Sequence, residues 1–182
     1  MEIIWAPWRL SYIVKEEEAE KKERETDTEL PILPEGDCGC FICQAAVDSD
    51  NVTRYVVGSS DKSIAILNRY PYNNGHLLVA PKSHRASLEL LTSEERMDLM
   101  EQITHWVGVL KQILKPEGFN VGLNLGHVAG AGLPGHLHWH IVPRWNGDTN
   151  FMSAIGQAKV IPQSLEALRE MILETTNNYP KK

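Results

Sequence analysis

The strongest constraint on the fold is a run in which every second residue is histidine, HLHWHIV at positions 136–142. Side chains of a β-strand alternate between two faces, so the run predicts a strand with imidazoles on one face and Leu137, Trp139 and Ile141 on the other. We expect the apolar face to pack against the core. Imidazoles buried without partners would be costly, so the polar face predicts either a metal site or a histidine nucleophile with supporting neighbours. The three histidines are His136, His138 and His140.

The rest of the chain predicts an α+β fold with an antiparallel sheet, one long helix and a C-terminal helix. KSIAILN (62–68), HLLVAP (76–81) and FNVGLNLG (119–126) are strand-like, and SLEALREMILET (164–175) predicts the last helix. A capping box of Thr92 and Glu95 predicts the start of the long helix, which Pro116 ends. The apolar residues at helical spacing in the long helix are Met97, Met100, Ile103, Val107, Leu110 and Leu114.

Length, charge and the amino terminus narrow the class of protein. A chain of 182 residues with 42% hydrophobic content predicts one domain over 1–182, with residues 15–36 as a charged, proline-broken arm or insertion. The net charge of −6 argues against binding of nucleic acid polymers. MEIIWAPWRLSYIV, interrupted by Pro7 and Arg9, predicts neither a signal peptide nor a membrane span, so we expect a cytoplasmic protein.

A glycine-rich loop, NLGHVAGAGLPG at positions 124–135, precedes the histidine strand. It contains a formal G-x-G-x-x-G match, but it leads into a strand rather than a helix, so it is not a dinucleotide-binding fingerprint. Its glycines, among them Gly132, permit close approach of the backbone to a phosphate, and backbone N–H groups can bind an anion there. Beside three histidines, phosphate binding is favoured over an ordinary hairpin loop.

The three cysteines, Cys38, Cys40 and Cys43, lie within six residues of one another. An odd, tightly clustered set in a chain with no export signal favours metal binding over disulfides. Cys40 and Cys43 have the spacing of a zinc ligand pair, although the spacing alone is also compatible with two reduced, buried thiols.

Several of these segments resemble one known family. HLHWHIV has the alternating pattern of the histidine triad (HIT) superfamily, and NRYPYNNGHLLVAPKSH resembles the upstream nucleoside-binding segment of that family. WAPWRLSYI, GFNVGLNLG, VPRWNGDTNF and KVIP resemble the branch that contains diadenosine tetraphosphate phosphorylases. The resemblance covers most of the chain apart from the charged arm and the C-terminal helix and tail.

The resemblance implies a HIT-like fold and a two-step nucleotidyl transfer, by hydrolysis or phosphorolysis of a nucleotide such as diadenosine tetraphosphate. The catalytic residues would be His138, which attacks the α-phosphorus while a backbone carbonyl holds its other ring nitrogen, and His140, which contacts phosphoryl or leaving-group oxygens. No catalytic metal is required, and the family analogy implies a homodimer. The residues implied in substrate binding are Asn68 at the ribose, His76 as a supporting histidine, and Asn124, Gly132 and Trp145 around the phosphates.

The resemblance also implies a zinc site. The chain departs from the family pattern at two positions before the first histidine. Related uridylyltransferases complete a cysteine pair with two histidines, which here are His84 and His136, so a structural Cys₂His₂ zinc is implied with Cys38 as a spare thiol. Many triad hydrolases have Gln where Gly132 stands and Ser or Thr at Leu133, and the phosphorylase-like branch tends to have Ser at position 132. A missing hydroxyl weakens the prediction of phosphorolysis by about one hydrogen bond, or about 1 kcal/mol.

Three other functions remain open from the sequence. They are a nucleotide-sugar uridylyltransferase, a zinc hydrolase that uses all three histidines, and a nucleotide-binding module without catalysis. His105 and His127 fit no motif, and we expect ordinary helix or surface roles for them.

Overall fold

The computed structural model describes residues 32–149 and 160–177. Its centre is a five-stranded antiparallel sheet in the order β1-β2-β3-β5-β4. The strands are β1 (Val56–Ser59), β2 (Ser63–Leu67), β3 (Leu77–Pro81), β4 (Gly118–Leu123) and β5 (Trp139–Arg144). The predicted α+β fold is therefore confirmed, and β1 is an additional strand that pairs with β2.

Among the described residues, three α-helices accompany the sheet: α1 (Phe41–Val47), α2 (Ser93–Leu114) and α3 (Leu165–Asn177). Single 3₁₀ turns cover Val52–Arg54, Leu88–Leu90 and His127–Ala129. The predicted capping box is present at α2, where the Thr92 side chain accepts from the Glu95 amide and Glu95 accepts from the Thr92 amide. At its other end Lys115 adopts a left-handed conformation ahead of Pro116.

Every residue of β2 and β3 is buried because both faces of the sheet are covered. Ala65, Leu67, Leu77 and Val79 pack in the larger core cluster, together with apolar residues of α2 and α3. The alternate residues Ile64, Ile66 and Ala80 pack in a second cluster with α1. The histidine motif follows the same alternation, since Leu137 and Ile141 belong to the larger cluster and Trp139 packs against it. The histidines therefore lie on the α1 side of the sheet.

The buried face of α2 differs in part from the predicted one. Met97 and Met100 are 65% and 61% exposed, so these two members of the periodic apolar set do not lie on the buried face. Ile103 and Leu110 are buried as predicted, and Val107 and Leu114 are partly buried. The core face is instead completed by Leu99, Trp106 and Val109. The aromatic ring of Trp106 packs closely against Gly58 in β1, where a Cβ would come within 2.3 Å of it.

The histidine run was predicted as one strand, but β5 begins only at Trp139. The two earlier histidines lie in the segment that leads into it. Most of the charged arm (15–31), the WAPWRLSYI motif and residues 150–159 lie outside the described residues. Within the described residues, no helix is long and apolar enough to cross a membrane.

Candidate active site

His138 is held in one tautomer by the chain that precedes β5. Its Nδ1 lies 2.9 Å from the backbone carbonyl oxygen of His136, and a carbonyl can only accept, so Nδ1 carries the hydrogen. The neutral ring then has its lone pair on Nε2. The residue is 6% exposed, and burial lowers its pKa, partly offset by the carbonyl bond. His138 is therefore neutral near pH 7 and carries a nucleophilic nitrogen.

His140 is oriented by a chain of hydrogen bonds that begins in the loop between β2 and β3. The amide N–H of Tyr72 donates to Nδ1 of His76 over 3.0 Å, so this nitrogen accepts and Nε2 of His76 carries the hydrogen. That Nε2 lies 2.9 Å from Nδ1 of His140. A neutral His140 therefore carries its hydrogen on Nε2. Its ring centroid is 5.0 Å from that of His138, which places an N–H donor beside the ring of His138.

The three motif histidines have separate partners and do not converge on one ion. Nδ1 of His136 lies 3.3 Å from Sγ of Cys40, and its Nε2 lies 2.8 Å from the carbonyl oxygen of Pro81. Both ring nitrogens of His136 are thus used away from His138 and His140. This arrangement does not support a zinc hydrolase in which all three histidines bind the metal.

A compact group of side chains that could ligate a metal lies next to His138. It consists of Cys40, Cys43, His84 and His136, whose ligand atoms all lie within 4.8 Å of one another. Three elements bring them together: α1 with its preceding turn, the segment after β3, and the segment before β5. All four residues predicted as zinc ligands are in this one cluster, which is the only such cluster in the part of the chain that the structure describes.

The donor atoms fit a tetrahedral zinc ion. Bonds of about 2.3 Å to sulfur and about 2.0–2.1 Å to nitrogen put S and N about 3.5 Å apart at tetrahedral angles. Sγ of Cys43 lies 3.3 Å from Nδ1 of His84 and 3.6 Å from Nδ1 of His136. The bond of His136 to Pro81 leaves its Nδ1 with a lone pair, as a metal ligand requires.

The two cysteines of the cluster differ in acidity. A hydrogen bond from Cys40 lowers the pKa of Cys43, and the same contact raises the pKa of Cys40. One thiolate next to two imidazoles is a donor set that a divalent cation would neutralise. Cys38 is exposed and takes no part in the cluster.

The two asparagines predicted to bind substrate have structural partners. Oδ1 of Asn68 accepts from the amide of Tyr70 over 2.9 Å, as in an Asx turn, and its Nδ2 lies 3.3 Å from Nδ1 of His76. Asn124 follows β4, one residue beyond the Leu123–Trp139 pair, and donates to the carbonyl oxygen of Gly130 over 3.3 Å. Asn124 therefore ties the glycine-rich loop to the sheet beside His138, while contact of either asparagine with substrate stays a prediction.

Some backbone amides of the glycine-rich loop donate hydrogen bonds within the loop itself. The amides of Ala129, Gly130 and Ala131 donate to carbonyls within the loop, and Gly126 and Gly130 have φ of 76° and 85°. These two positive φ values require glycine or a strained residue. Gly132 is exposed at the end of the loop nearest the histidines. An anion site formed by the remaining amides stays a prediction.

Trp145 is not brought to the histidines of its own chain. It follows β5 and is five residues from His140, or about 16 Å along an extended strand. Asp148 fixes this region, because its carboxylate accepts from the Trp145 amide, from the Arg144 guanidinium and from Asn73. Asn73 belongs to the loop between β2 and β3, so Asp148 joins the loop of His76 to the end of β5.

Tyr72 and Asp148 are site residues that the sequence reasoning missed. Tyr72 lies inside the quoted NRYPYNNGH segment and Asp148 inside RWNGD. Neither spacing nor residue type shows that the Tyr72 amide contacts His76 or that the Asp148 carboxylate joins two segments. His105, in α2 with its ring against Trp106, and His127, exposed in a 3₁₀ turn, lie outside both histidine groups as expected.

Comparison with known proteins agrees with this geometry. A family model described as HIT domain matches residues 49–147. An AP-4-A phosphorylase of Mycobacterium tuberculosis is 41% identical over 169 residues, covering 93% of this chain and 81% of the relative. An adenosine 5'-monophosphoramidase of Schizosaccharomyces pombe is 32% identical over 136 residues, covering 73% and 95%. A hypothetical histidine triad nucleotide-binding protein of Sulfolobus tokodaii has a similar structure, with a TM-score of 0.60 at 28% identity, covering 76% and 93%.

Proposed function

The chain belongs to the HIT domain family, and from this premise we propose that it cleaves diadenosine polyphosphates at the α-phosphate through a covalent nucleotidyl-His138. The observation that carries the proposal is the Nδ1 contact of His138 with the His136 carbonyl, 2.9 Å long, which leaves Nε2 as a buried nucleophile. The 41% identity to an AP-4-A phosphorylase supports diadenosine tetraphosphate as the substrate.

In the first step, the lone pair on Nε2 of His138 forms a bond to the α-phosphorus. The bond from that phosphorus to the bridging oxygen breaks, and ATP leaves from diadenosine tetraphosphate. The imidazole ring then carries a positive charge, because Nδ1 keeps its hydrogen. The His136 carbonyl faces that N–H, so it stabilises the charged ring as well as orienting the neutral one.

His140 acts on the same phosphoryl group from one side. Its Nε2–H donates to a phosphoryl or leaving-group oxygen, where negative charge grows as the bridging bond lengthens. His76 holds the opposite edge of the ring over 2.9 Å. The donor is therefore in place before substrate binds, so little reorganisation is needed during the reaction.

In the second step, an acceptor oxygen attacks the phosphorus and the P–N bond breaks, which returns the electron pair to Nε2. Water would give AMP, and inorganic phosphate would give ADP. Gly132 lacks the hydroxyl that the phosphorylase-like branch tends to have at this position, so phosphate would lose one hydrogen bond of about 1 kcal/mol. We propose phosphorolysis as the main reaction because of the 41% identity, with hydrolysis as the slower alternative.

We propose that the Cys₂His₂ cluster holds a structural zinc. The metal would neutralise the thiolates and fix Cys40 and His136 to each other. His136 supplies the carbonyl that orients His138, so the cluster would set the position of that carbonyl without touching the substrate. No step of the reaction requires the metal.

We also infer a cytoplasmic homodimer. The edge of β4 supports this inference, because it is an outer strand with Val121 and the following Leu125 46% and 47% exposed. Pairing at that edge would bury apolar surface. It would also give Trp145 a route to a site other than its own, in line with the predicted substrate contact.

The test is a product assay on purified full-length chain with diadenosine tetraphosphate, with and without inorganic phosphate. Wild type should give ATP with ADP when phosphate is present and ATP with AMP when it is absent. His138→Ala should lose at least about 10³-fold in kcat. His105→Ala is the matched control, because this histidine lies in α2 on the other side of the sheet, and it should keep normal turnover.

Other results would favour other functions. Uridylyl transfer from a nucleotide sugar, with no action on the dinucleotide, would support the uridylyltransferase alternative. Binding of AMP without turnover of either substrate would support a binding module. Full activity of His138→Ala would overturn the proposed nucleophile.

A further inference from the structure

Tyr72 contacts the His76–His140 pair in two independent ways. Its backbone N–H donates to Nδ1 of His76, and its ring stacks on His140 with a centroid distance of 5.6 Å and an interplanar angle of 23°. The same ring is 4.7 Å from that of His76 at 33°. One residue thus contacts both members of the pair.

The amide contact decides which nitrogen of His140 presents a hydrogen. Imidazole Nδ1 of His76 could carry a hydrogen or accept one, but opposite an N–H donor it must accept. Asn68 places its Nδ2 3.3 Å from the same nitrogen, which adds a second donor. His76 is 1% exposed, so water does not compete for this arrangement. The tautomer of His140 is therefore fixed from the loop.

The ring contact decides the plane of His140. The imidazole turns about its Cβ–Cγ bond, and the hydrogen bond at Nδ1 limits that rotation only to the range of angles that a hydrogen bond tolerates. An aromatic ring lying nearly parallel against one face restricts this rotation. Direction matters for a donor that must meet a developing charge, because hydrogen bonds weaken steeply away from linearity.

The loop that carries Tyr72 is itself anchored on both sides. The next residue, Asn73, donates from Nδ2 to the carbonyl oxygen of Pro143 over 3.1 Å and to Asp148 over 2.8 Å. Its carbonyl accepts from the His76 amide over 3.2 Å. The position of Tyr72 is therefore tied to the same strand, β5, that carries His140.

We propose that Tyr72 is a positioning residue for His140: its amide fixes the tautomer of the His76–His140 pair, and its ring fixes the plane in which the Nε2–H of His140 meets the phosphoryl group. The catalytic consequence rests on the proposed nucleotidyl transfer, whereas the tautomer and the ring plane do not. Tyr72 acts through its ring and its amide, so its hydroxyl is not required.

The first experiment is ¹H–¹⁵N NMR of the histidine rings in the full chain without substrate, with His140 assigned by a His140→Gln variant. Wild type and Tyr72→Phe should show one neutral His140 tautomer with the hydrogen on Nε2. Tyr72→Ala and Tyr72→Leu keep the backbone amide, so they should keep this tautomer but show broadened or doubled His140 signals because the ring plane is no longer held. Two truncations are used so that a folding defect in one, detected by circular dichroism, leaves the other as the test.

The second experiment is steady-state kinetics with diadenosine tetraphosphate. Tyr72→Phe should stay within about twofold of wild type, and Tyr72→Ala should lose about tenfold or more in kcat with KM little changed, as expected for misdirected catalytic groups. His105→Ala is the control, since the ring of this histidine lies in α2 against Trp106 and outside both histidine groups, and it should leave kcat unchanged.

The outcomes separate this proposal from the proposed function. If wild type does not turn over the dinucleotide, the proposed function fails, and the NMR experiment alone decides the role of Tyr72. His140 signals in Tyr72→Ala identical to those of wild type would overturn the positioning role. So would a raised KM at unchanged kcat, which would make Tyr72 a substrate-binding residue instead.

Discussion

Replacing Gly75 with alanine should damage the loop that carries His76, for two separable reasons. Gly75 has φ of 76°, in the left-handed region that alanine enters at a cost. A Cβ built at this position would lie 2.4 Å from Cδ1 of Leu114 and 3.2 Å from Cγ of Pro143. The first contact is an overlap that requires the leucine side chain at the end of α2 to move.

The two contributions can be given magnitudes. Left-handed backbone costs an alanine about 1–2 kcal/mol relative to glycine. Forcing a methyl group into an occupied space costs about 1–3 kcal/mol. Leu114 is only partly buried and can shift, so the overlap belongs at the lower end of that range. The free energy of unfolding of Gly75→Ala should fall by about 2–4 kcal/mol.

The assay is urea unfolding of three Gly→Ala variants under one set of conditions. Gly147 has φ of 73° with nothing within 4 Å of the added Cβ, so Gly147→Ala should show the backbone cost alone, about 1–2 kcal/mol. Gly118 in β4 has neither feature, and Gly118→Ala should change stability by at most about 1 kcal/mol. Equal stability of Gly75→Ala and Gly147→Ala would refute the overlap with Leu114.

Three more predictions follow from single contacts. The hydrogen bond from Arg144 lowers the pKa of Asp148 to about 2, so its carboxylate contributes stability that is present above its unfolded pKa of about 3.9 and is lost as pH falls to about 2. Asp148→Asn should remove that pH dependence of Tm, and an unchanged acid profile would contradict the assignment. Cys43→Ser should lose bound zinc in metal analysis and lower Tm by about 6–12 °C if about 3 kcal/mol is lost; stoichiometric zinc in this variant would argue against the Cys₂His₂ site. Leu110→Ala should cost about 2–5 kcal/mol in urea unfolding and Met97→Ala less than about 0.5 kcal/mol. Similar losses in the two would contradict the observed face of α2.

The alternating histidine run correctly predicted that the imidazoles lie on the face opposite the larger core cluster. Side-chain alternation alone places Leu137 and Ile141 in the core, so the opposite face had to carry the imidazoles. Alternation could not show that His136 faces the thiols while His140 bonds to His76, because those partners come from segments far away in the chain. Tertiary contacts, not spacing, separate His136 beside the thiols from His140 beside His76.

The buried face of α2 and the place of Trp145 both depend on the fold rather than on spacing along the chain. Helical spacing marks more than one apolar face, and only the neighbouring elements decide that Trp106 faces the core and Met97 faces outward. Trp145 belongs to the motif of the histidines, but strand geometry carries it about 16 Å away. A motif therefore shows which residues occur together, and the fold decides which of them meet.

The central claim is that His138 forms a bond to the nucleotide. The most direct measurement is intact-protein mass spectrometry of wild type and His138→Ala after brief reaction with diadenosine tetraphosphate without inorganic phosphate, quenched without acid. We predict an added mass of one adenylyl group on wild type and none on His138→Ala, with the adduct lost when phosphate is added and ADP released. An adduct of equal amount on His138→Ala, or wild-type turnover with no adduct during the first turnover, would contradict the account.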